Sequence, residues 1–136
     1  MEDNDEHRQI RVLLVDDHAF VRSGVKAILE FEKGIDVVGE AGSGLEAIEK
    51  AESVKPDLIV MDVNMPDLDG IETTKRIKQK HPSISIIILT VNDEELFLIE
   101  AVRAGAASFL LKDSSSDQLI SSIRAVAEGA SLIPLH

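Results

Sequence analysis

Residues 12–19 read VLLVDDHA, in which the apolar run IRVLLV (10–15) stops on two adjacent acids, Asp16 and Asp17. Adjacent carboxylates repel, and each loses hydration as it nears an apolar interior. Such a pair either caps the following helix and faces water, or holds something positive between its charges. Four more apolar runs follow: DVVGEA (36–41), DLIVM (57–61), SIIILT (85–90) and ASFLLK (107–112). Several are continuous rather than alternating, the pattern of strands buried on both faces of a parallel sheet.

Helical patterns lie between them. AFVRSGVKAILEF places Phe20, Val21, Val25, Ile28 and Leu29 at three- and four-residue spacings, and GLEAIEKAESV does so with Leu45, Ile48 and Ala51. IETTKRIKQ offers Ile71, Thr74 and Ile77; ELFLIEAVRAG and DQLISSIRAVAEG end in Gly105 and Gly129, natural helix stops. Ser115 with Gln118 forms a capping-box signature for the last helix. Strand and helix thus alternate five times. Right-handed crossovers turn that order into a doubly wound α/β fold, a parallel sheet with helices on both faces. Sites in such sheets form beyond the carboxyl ends of the strands.

The chain has 136 residues, enough for one domain. Residues 1–9 read as a disordered tail, 10–129 as the folded domain, and 130–136 as the start of a linker. The acidic N-terminus has neither signal-peptide nor transit-peptide character. No apolar stretch approaches the roughly 20 residues a bilayer span needs. The absence of cysteine excludes disulfides and thiolate metal sites and fits a cytoplasmic setting. A net charge of −11 opposes binding to nucleic acid and to anionic membranes. KRIKQK (75–80), the densest basic stretch, reads as the solvated face of one amphipathic helix. His7, His81 and His136 read as surface residues, and His18 as a helix-start residue facing solvent.

The polar residues at the strand ends carry the chemistry. Asp16 and Asp17 follow the first strand, Asp62 the third, Thr90 ends the fourth and Lys112 the fifth. Carboxylates close in space need a countercharge, and Mg²⁺ with its oxygen preference supplies one. A lysine charge and a threonine hydroxyl complete a set suited to phosphoryl transfer, where positioning and electrostatics dominate. Asp62, held at the end of the central strand, is the best-placed carboxylate nucleophile.

VLLVDD, LIVMDVNMPDLDG, IIILT and SFLLK, in this order, resemble the receiver domain of two-component response regulators over nearly the whole ordered length. The resemblance implies a flavodoxin-like (βα)5 fold, three layers α/β/α, with strand order 2-1-3-4-5. It implies that Asp62 accepts a phosphoryl group from a sensor histidine kinase. Asp17, Asp62 and the backbone carbonyl of Asn64 would hold Mg²⁺ directly, with Asp16 acting through a coordinated water. Lys112 would pair with the phosphoryl oxygens. Thr90 would follow the phosphoryl group while Phe109 fills the space it vacates, biasing the surface of the fourth helix, fifth strand and fifth helix. For Phe109 a plain core role is the competing reading.

VDDHAFVRSGVKAIL and LLKDSSSDQLISSIRAVAEG are similar to the NarL/FixJ subgroup, whose members continue into a LuxR-type helix-turn-helix. The implied protein is a signalling switch, not an enzyme, that assists its own phosphorylation and dephosphorylation. It would form a homodimer on phosphorylation and control a DNA-binding domain beyond residue 136; the alternative is a stand-alone receiver acting as a phosphorelay intermediate or protein-binding switch. Asp113 stands where many receivers carry proline, so no cis peptide is expected after Lys112. The bulk of Val91 is expected to slow small phosphodonors and hydrolysis, while Asn64 and Asn92 sit where the family tunes phosphoryl lifetime. An aspartyl phosphatase would need a cap segment the chain lacks room for, and clustered acids would repel a flavin phosphate.

Overall fold

A computed structural model describes residues 9–63, 67–90, 95–112 and 114–129. The elements run β1 (Ile10–Val15), α1 (Ala19–Glu30), β2 (Ile35–Ala41), α2 (Gly44–Val54), β3 (Leu58–Asp62), α3 (Gly70–Lys80), β4 (Ser85–Thr90), α4 (Glu95–Ala104), β5 (Ser108–Leu111) and α5 (Ser116–Ala127). All strand pairs are parallel, in the order β2-β1-β3-β4-β5. This is the flavodoxin-like doubly wound sheet the sequence predicts. The order reverses between β1 and β3, which opens a crevice at the carboxyl ends of those two strands.

Strand alternation divides the core in two. Leu13, Val15, Ile59, Met61, Ile86 and Ile88 face one side, where they pack with Ala47 and Ala51 of α2, Ile77 of α3 and Ala101 of α4. Val12, Leu14, Leu58, Val60 and Ile87 face the other, against Leu29 of α1 and Leu119, Ile123 and Val126 of α5. Each fully buried aliphatic side chain contributes about 1.5–3 kcal/mol. Central β3 is buried at every residue, which explains its uninterrupted apolar sequence.

The helix ends follow the sequence signals. Ser115 Oγ accepts from the Gln118 N–H at 3.2 Å and Gln118 Oε1 accepts from the Ser115 N–H at 3.0 Å, a complete capping box. Gly105 and Gly129 adopt φ of +109° and +98°, the left-handed stops expected of them.

α1 departs from expectation. Of its predicted apolar stripe, Leu29 is buried and Val25 packs against the core, whereas Phe20, Val21 and Ile28 are exposed. The spacing makes a helix, but the core takes only the arc that carries Leu29. Leu45 is likewise exposed at the start of α2. On α3, Lys75, Arg76, Gln79 and Lys80 are solvated, but Lys78 Nζ turns back to donate to the carbonyls of Pro82 and Ile84 at 2.7 and 2.8 Å. Desolvation there lowers its pKa. His81 is no bare surface residue: its Nε2 lies 3.1 Å from Glu52 Oε1.

Candidate phosphoryl-transfer site

The carboxyl edge of the sheet gathers all five side chains singled out by the sequence. Asp62 ends β3 between β1 and β4 and is 1% exposed. Asp16 is buried next to it in chain order after β1, and Asp17 reaches solvent. Neither acid caps α1, whose N-cap is His18 with no side-chain cap bond. Asp16 Oδ1 instead accepts the His18 N–H at 2.8 Å, which turns the chain out of the strand. Carboxylate oxygens of Asp16, Asp17 and Asp62, together with a ring nitrogen of His18, all lie within 4.8 Å of one another.

Lys112 closes the site from the far side. It follows β5, its N–H donates to the Thr90 carbonyl at 2.8 Å, and its Nζ lies 2.9 Å from Asp62 Oδ1. Thr90 is fully buried at the end of β4. Phe109 is half-buried against the core cluster under α2, α3 and α4, as is Phe97 of α4.

Three carboxylates and one ammonium leave excess negative charge in a crevice only partly open to solvent. An all-carboxylate oxygen set suits a hard divalent cation. Asp16, Asp17 and Asp62 each offer an oxygen close enough to the others to hold one such ion, which would supply the missing positive charge. His18 adds a nitrogen at the rim, its Nδ1 3.3 Å from Asp16 and 3.0 Å from Asp17. It faces solvent, as expected, but it also touches both acids, which the sequence reading missed.

Three supports were not foreseen. Arg22 donates to the Asp16 carbonyl and pairs through Nε with Glu40 Oε1 at 2.8 Å, tying the acid turn to the end of β2. The Arg22 hydrogen bond, with help from Lys26, holds the Glu40 carboxyl below the usual range. Asp67 accepts N–H bonds from Leu45, Gly44 and Leu68 at 3.0, 2.9 and 2.7 Å, which fastens the segment after β3 to the start of α2 and lowers its pKa. Gly70 lets α3 start against the backbone of Asp62: a Cβ there would lie 2.7 Å from Val63 Cα and 2.9 Å from the Asp62 carbonyl oxygen. Arg22 in DDH-x-x-x-R and Asp67 in NMPDLDG were visible as letters, but their partners lie too far along the chain for spacing to show. Asn64, Val91, Asn92 and Asp113 fall outside the described residues, as do the tail to residue 8 and 130–136. Among the described residues no peptide bond is cis.

The family model for the response regulator receiver domain matches residues 12–124. The chain belongs to that family. Response regulator receivers are signalling switches of two-component systems. Over 133 residues the receiver is 35% identical to the transcriptional regulatory protein DegU of Brevibacillus brevis, covering 98% of this chain and 56% of DegU. It thus spans little more than half of that relative. A two-component response regulator of the LuxR family from Aurantimonas sp. SI85-9A1 superposes with a TM-score of 0.87 at 35% identity, over 90% of this chain and 88% of that one. The isolated receiver domain of RcsB from Salmonella enterica serovar Typhimurium, solved with the phosphomimetic BeF3−, gives 0.85 at 28% identity over 93% and 94%. Among the described residues no helix is long and apolar enough to cross a membrane.

Proposed function

We propose that this receiver takes a phosphoryl group from the phosphohistidine of a sensor histidine kinase onto Asp62. The observation that carries this reading is the 2.9 Å pairing of Lys112 Nζ with Asp62 Oδ1 beside the clustered oxygens of Asp16 and Asp17. A carboxylate oxygen of Asp62 attacks phosphorus, the P–N bond to the kinase imidazole breaks, and the imidazole leaves with the bonding electrons. Asp17, Asp62 and the carbonyl of Asn64 would hold Mg²⁺ directly, with Asp16 acting through water. Bound there, the ion would offset the charge of the acids and of the incoming phosphoryl oxygens.

Lys112 moves from Asp62 to a phosphoryl oxygen as the acyl phosphate forms, so the ammonium remains paired throughout. Thr90 donates its hydroxyl to another phosphoryl oxygen. Phe109 then turns inward into the space Thr90 leaves, and the surface of α4, β5 and α5 changes. Hydrolysis of the acyl phosphate resets the switch. That the RcsB receiver was solved in the presence of a phosphomimetic supports a phosphoryl-like ligand for a domain of this kind. The name of DegU supports transcriptional output, with residues 10–129 as the switch and 130–136 leading toward an output segment that contacts DNA. The switch would act in the cytoplasm, where kinase phosphohistidines are presented.

Intact-protein mass after incubation with acetyl phosphate tests this. The expected result is one phosphoryl adduct on the wild type with Mg²⁺, none with EDTA and none on Asp62→Ala. An adduct that persists on Asp62→Ala would overturn the assignment of the acceptor. If acetyl phosphate fails on the wild type, a kinase donor decides whether Val91 screens the site.

A further inference from the structure

Asp16 is held at three points. Its N–H donates to the Ala41 carbonyl at the end of β2 at 3.0 Å, and its Oδ1 accepts the His18 N–H at 2.8 Å. Its carbonyl accepts from Arg22 Nη1. The first two ties are local to a strand that leaves a parallel sheet for a helix. The third needs a long cationic side chain in one particular place. Arg22 lies one turn into α1, where its N–H donates to the His18 carbonyl at 2.9 Å. Helical side chains lean toward the amino end of their helix, so Arg22 reaches back to the strand exit.

The guanidinium is itself anchored. Its Nε bonds Glu40 Oε1 at 2.8 Å, while Glu40 Oε2 lies 3.2 Å from Lys26 Nζ. The Glu40 carbonyl accepts from Lys50 Nζ at 2.8 Å, and Glu40 stands opposite Leu14 in the β1–β2 pairing. Only 19% of the Arg22 side chain is exposed. A planar guanidinium that serves two fixed partners through two nitrogens is a rigid strut, which a lysine cannot be.

We propose that Arg22 is a positioning residue for the Mg²⁺ site: it fixes the Asp16 carbonyl against the sheet, and with it the direction in which Asp16 and Asp17 present their oxygens. The proposal rests on the reading that these acids hold Mg²⁺. The Asp16 carbonyl belongs to the planar peptide that joins Asp16 to Asp17, so its orientation sets how Asp17 leaves the strand. Mg²⁺ tolerates little departure from an octahedral set of oxygens, which makes its affinity sensitive to that orientation. Groups that hold a metal's ligands are commonly worth about 10–100-fold in affinity.

Charge and position predict opposite signs at Arg22. A cation near the acids repels Mg²⁺, so loss of its charge alone would tighten binding. Loss of the strut weakens it. Glu40 lies against the guanidinium and offsets its field, so position should prevail.

Mn²⁺ is the probe, because the electron paramagnetic resonance signal of the free ion reads binding directly and Mg²⁺ can then displace it. The 136-residue protein is titrated with no phosphodonor. Arg22→Ala should weaken both ions by about tenfold. Arg22→Lys keeps the charge but has one nitrogen for two partners, and should stay about threefold or more weaker than the wild type. If Arg22→Ala fails to fold, Arg22→Lys carries the comparison. Arg124→Ala breaks a similar tie, to Glu32 and the Lys33 carbonyl, at the other end of the sheet. It should lower the melting temperature and leave affinity unchanged, which separates positioning from general stability. Undiminished affinity in Arg22→Ala, full recovery in Arg22→Lys, or an equal fall in Arg124→Ala would each overturn the proposal. A wild type that binds neither ion would overturn the metal reading itself, and the proposal with it.

Discussion

The two ends of the sheet use the same residue types in opposite ways. At the amino end, below β1 and β3, charges are spent on the chain's own backbone. Arg11 donates to the carbonyls of Val54 and Lys55, and its N–H donates to Asp57 Oδ2 at 2.9 Å. Arg124 bonds Glu32 Oε1 at 2.9 Å and the Lys33 carbonyl at 3.1 Å. Asp57, Lys33 and Arg124 border a groove of about 820 Å³, where Asp57 already accepts the Arg11 N–H and Arg124 fastens α5 to the end of α1. At the carboxyl end, carboxylates from two strands converge with a lysine from a third, and the charge does not cancel. An ionic group that satisfies a local backbone need is structural; ionic groups that collect excess charge from several strands form a site. The difference lies in convergence, not in burial or residue type.

The largest effect that would break this comparison comes from Lys112→Ala. If its ammonium stabilises the transferring phosphoryl group, phosphorylation from acetyl phosphate should slow by about 100-fold. Stability should fall as well, because the buried Asp62 carboxylate loses its ammonium partner beside two other acids. A time course by intact mass, with a melting curve beside it, measures both. A stability loss with no change in rate would move Lys112 into the amino-end class.

Arg11→Ala is the reverse test. It strips two carbonyls of a charged donor at a partly wet position, and should cost about 1–2 kcal/mol in urea unfolding. The phosphorylation rate should stay within a factor of about two, because nothing at the amino end touches Asp62. A comparable fall in rate would mean that the two ends are coupled through β1.

Acid sharpens the comparison further. Asp67 and Glu40 both have lowered pKa values, Asp67 chiefly through the Leu45 N–H and Glu40 chiefly through Arg22. A depressed carboxyl pKa in the folded state means that its stabilisation is complete above the unfolded value and is lost as pH falls through the folded one. Stability should therefore decline from the ordinary carboxylate range downward, below about pH 4.5. Asp67→Asn, which keeps one acceptor oxygen but cannot titrate, should flatten that decline. Unfolding followed by circular dichroism across pH would show it, and an unchanged slope would assign the acid sensitivity to Glu40 or to groups elsewhere.

Much of this arrangement was legible in the sequence, for a physical reason. β1, β3 and β4 are the three inner strands, buried on both faces, and their boundaries were read to within a residue. β2 and β5 are edges, and although they mix exposed and buried positions their ends too were legible to within a residue. The convergence of Asp16, Asp17, Asp62, Thr90 and Lys112 followed from parallel order alone. The pairing of Arg22 with Glu40 and of Asp67 with Gly44 and Leu45 did not, because these partners lie 18 to 23 residues apart and turn on side-chain reach. The outward turn of Phe20 was also hidden. Helical spacing shows that α1 is a helix, but its apolar residues cover two arcs, and only packing against the sheet at β1 and β2 selects the one with Leu29.

The smallest effect tests how firmly the amino end holds its shape. Lys55 follows α2 with φ of +52° and ψ of +64°, the left-handed region that side chains other than glycine enter at a cost. The Lys55 N–H donates to the Ala51 carbonyl at 3.2 Å, and its own carbonyl accepts from Arg11. Arg11 therefore holds open a backbone conformation that lysine resists. Lys55→Gly removes that resistance, offset in part by the greater freedom of glycine in the unfolded chain. The expected gain is about 0.5 kcal/mol, read as a small upward shift of the urea midpoint with unchanged slope. In the Arg11→Ala background the gain should be larger, because the tie that compensates for the strain is gone. Equal gains in both backgrounds would mean that Arg11 stabilises the turn without holding Lys55 in its strained form.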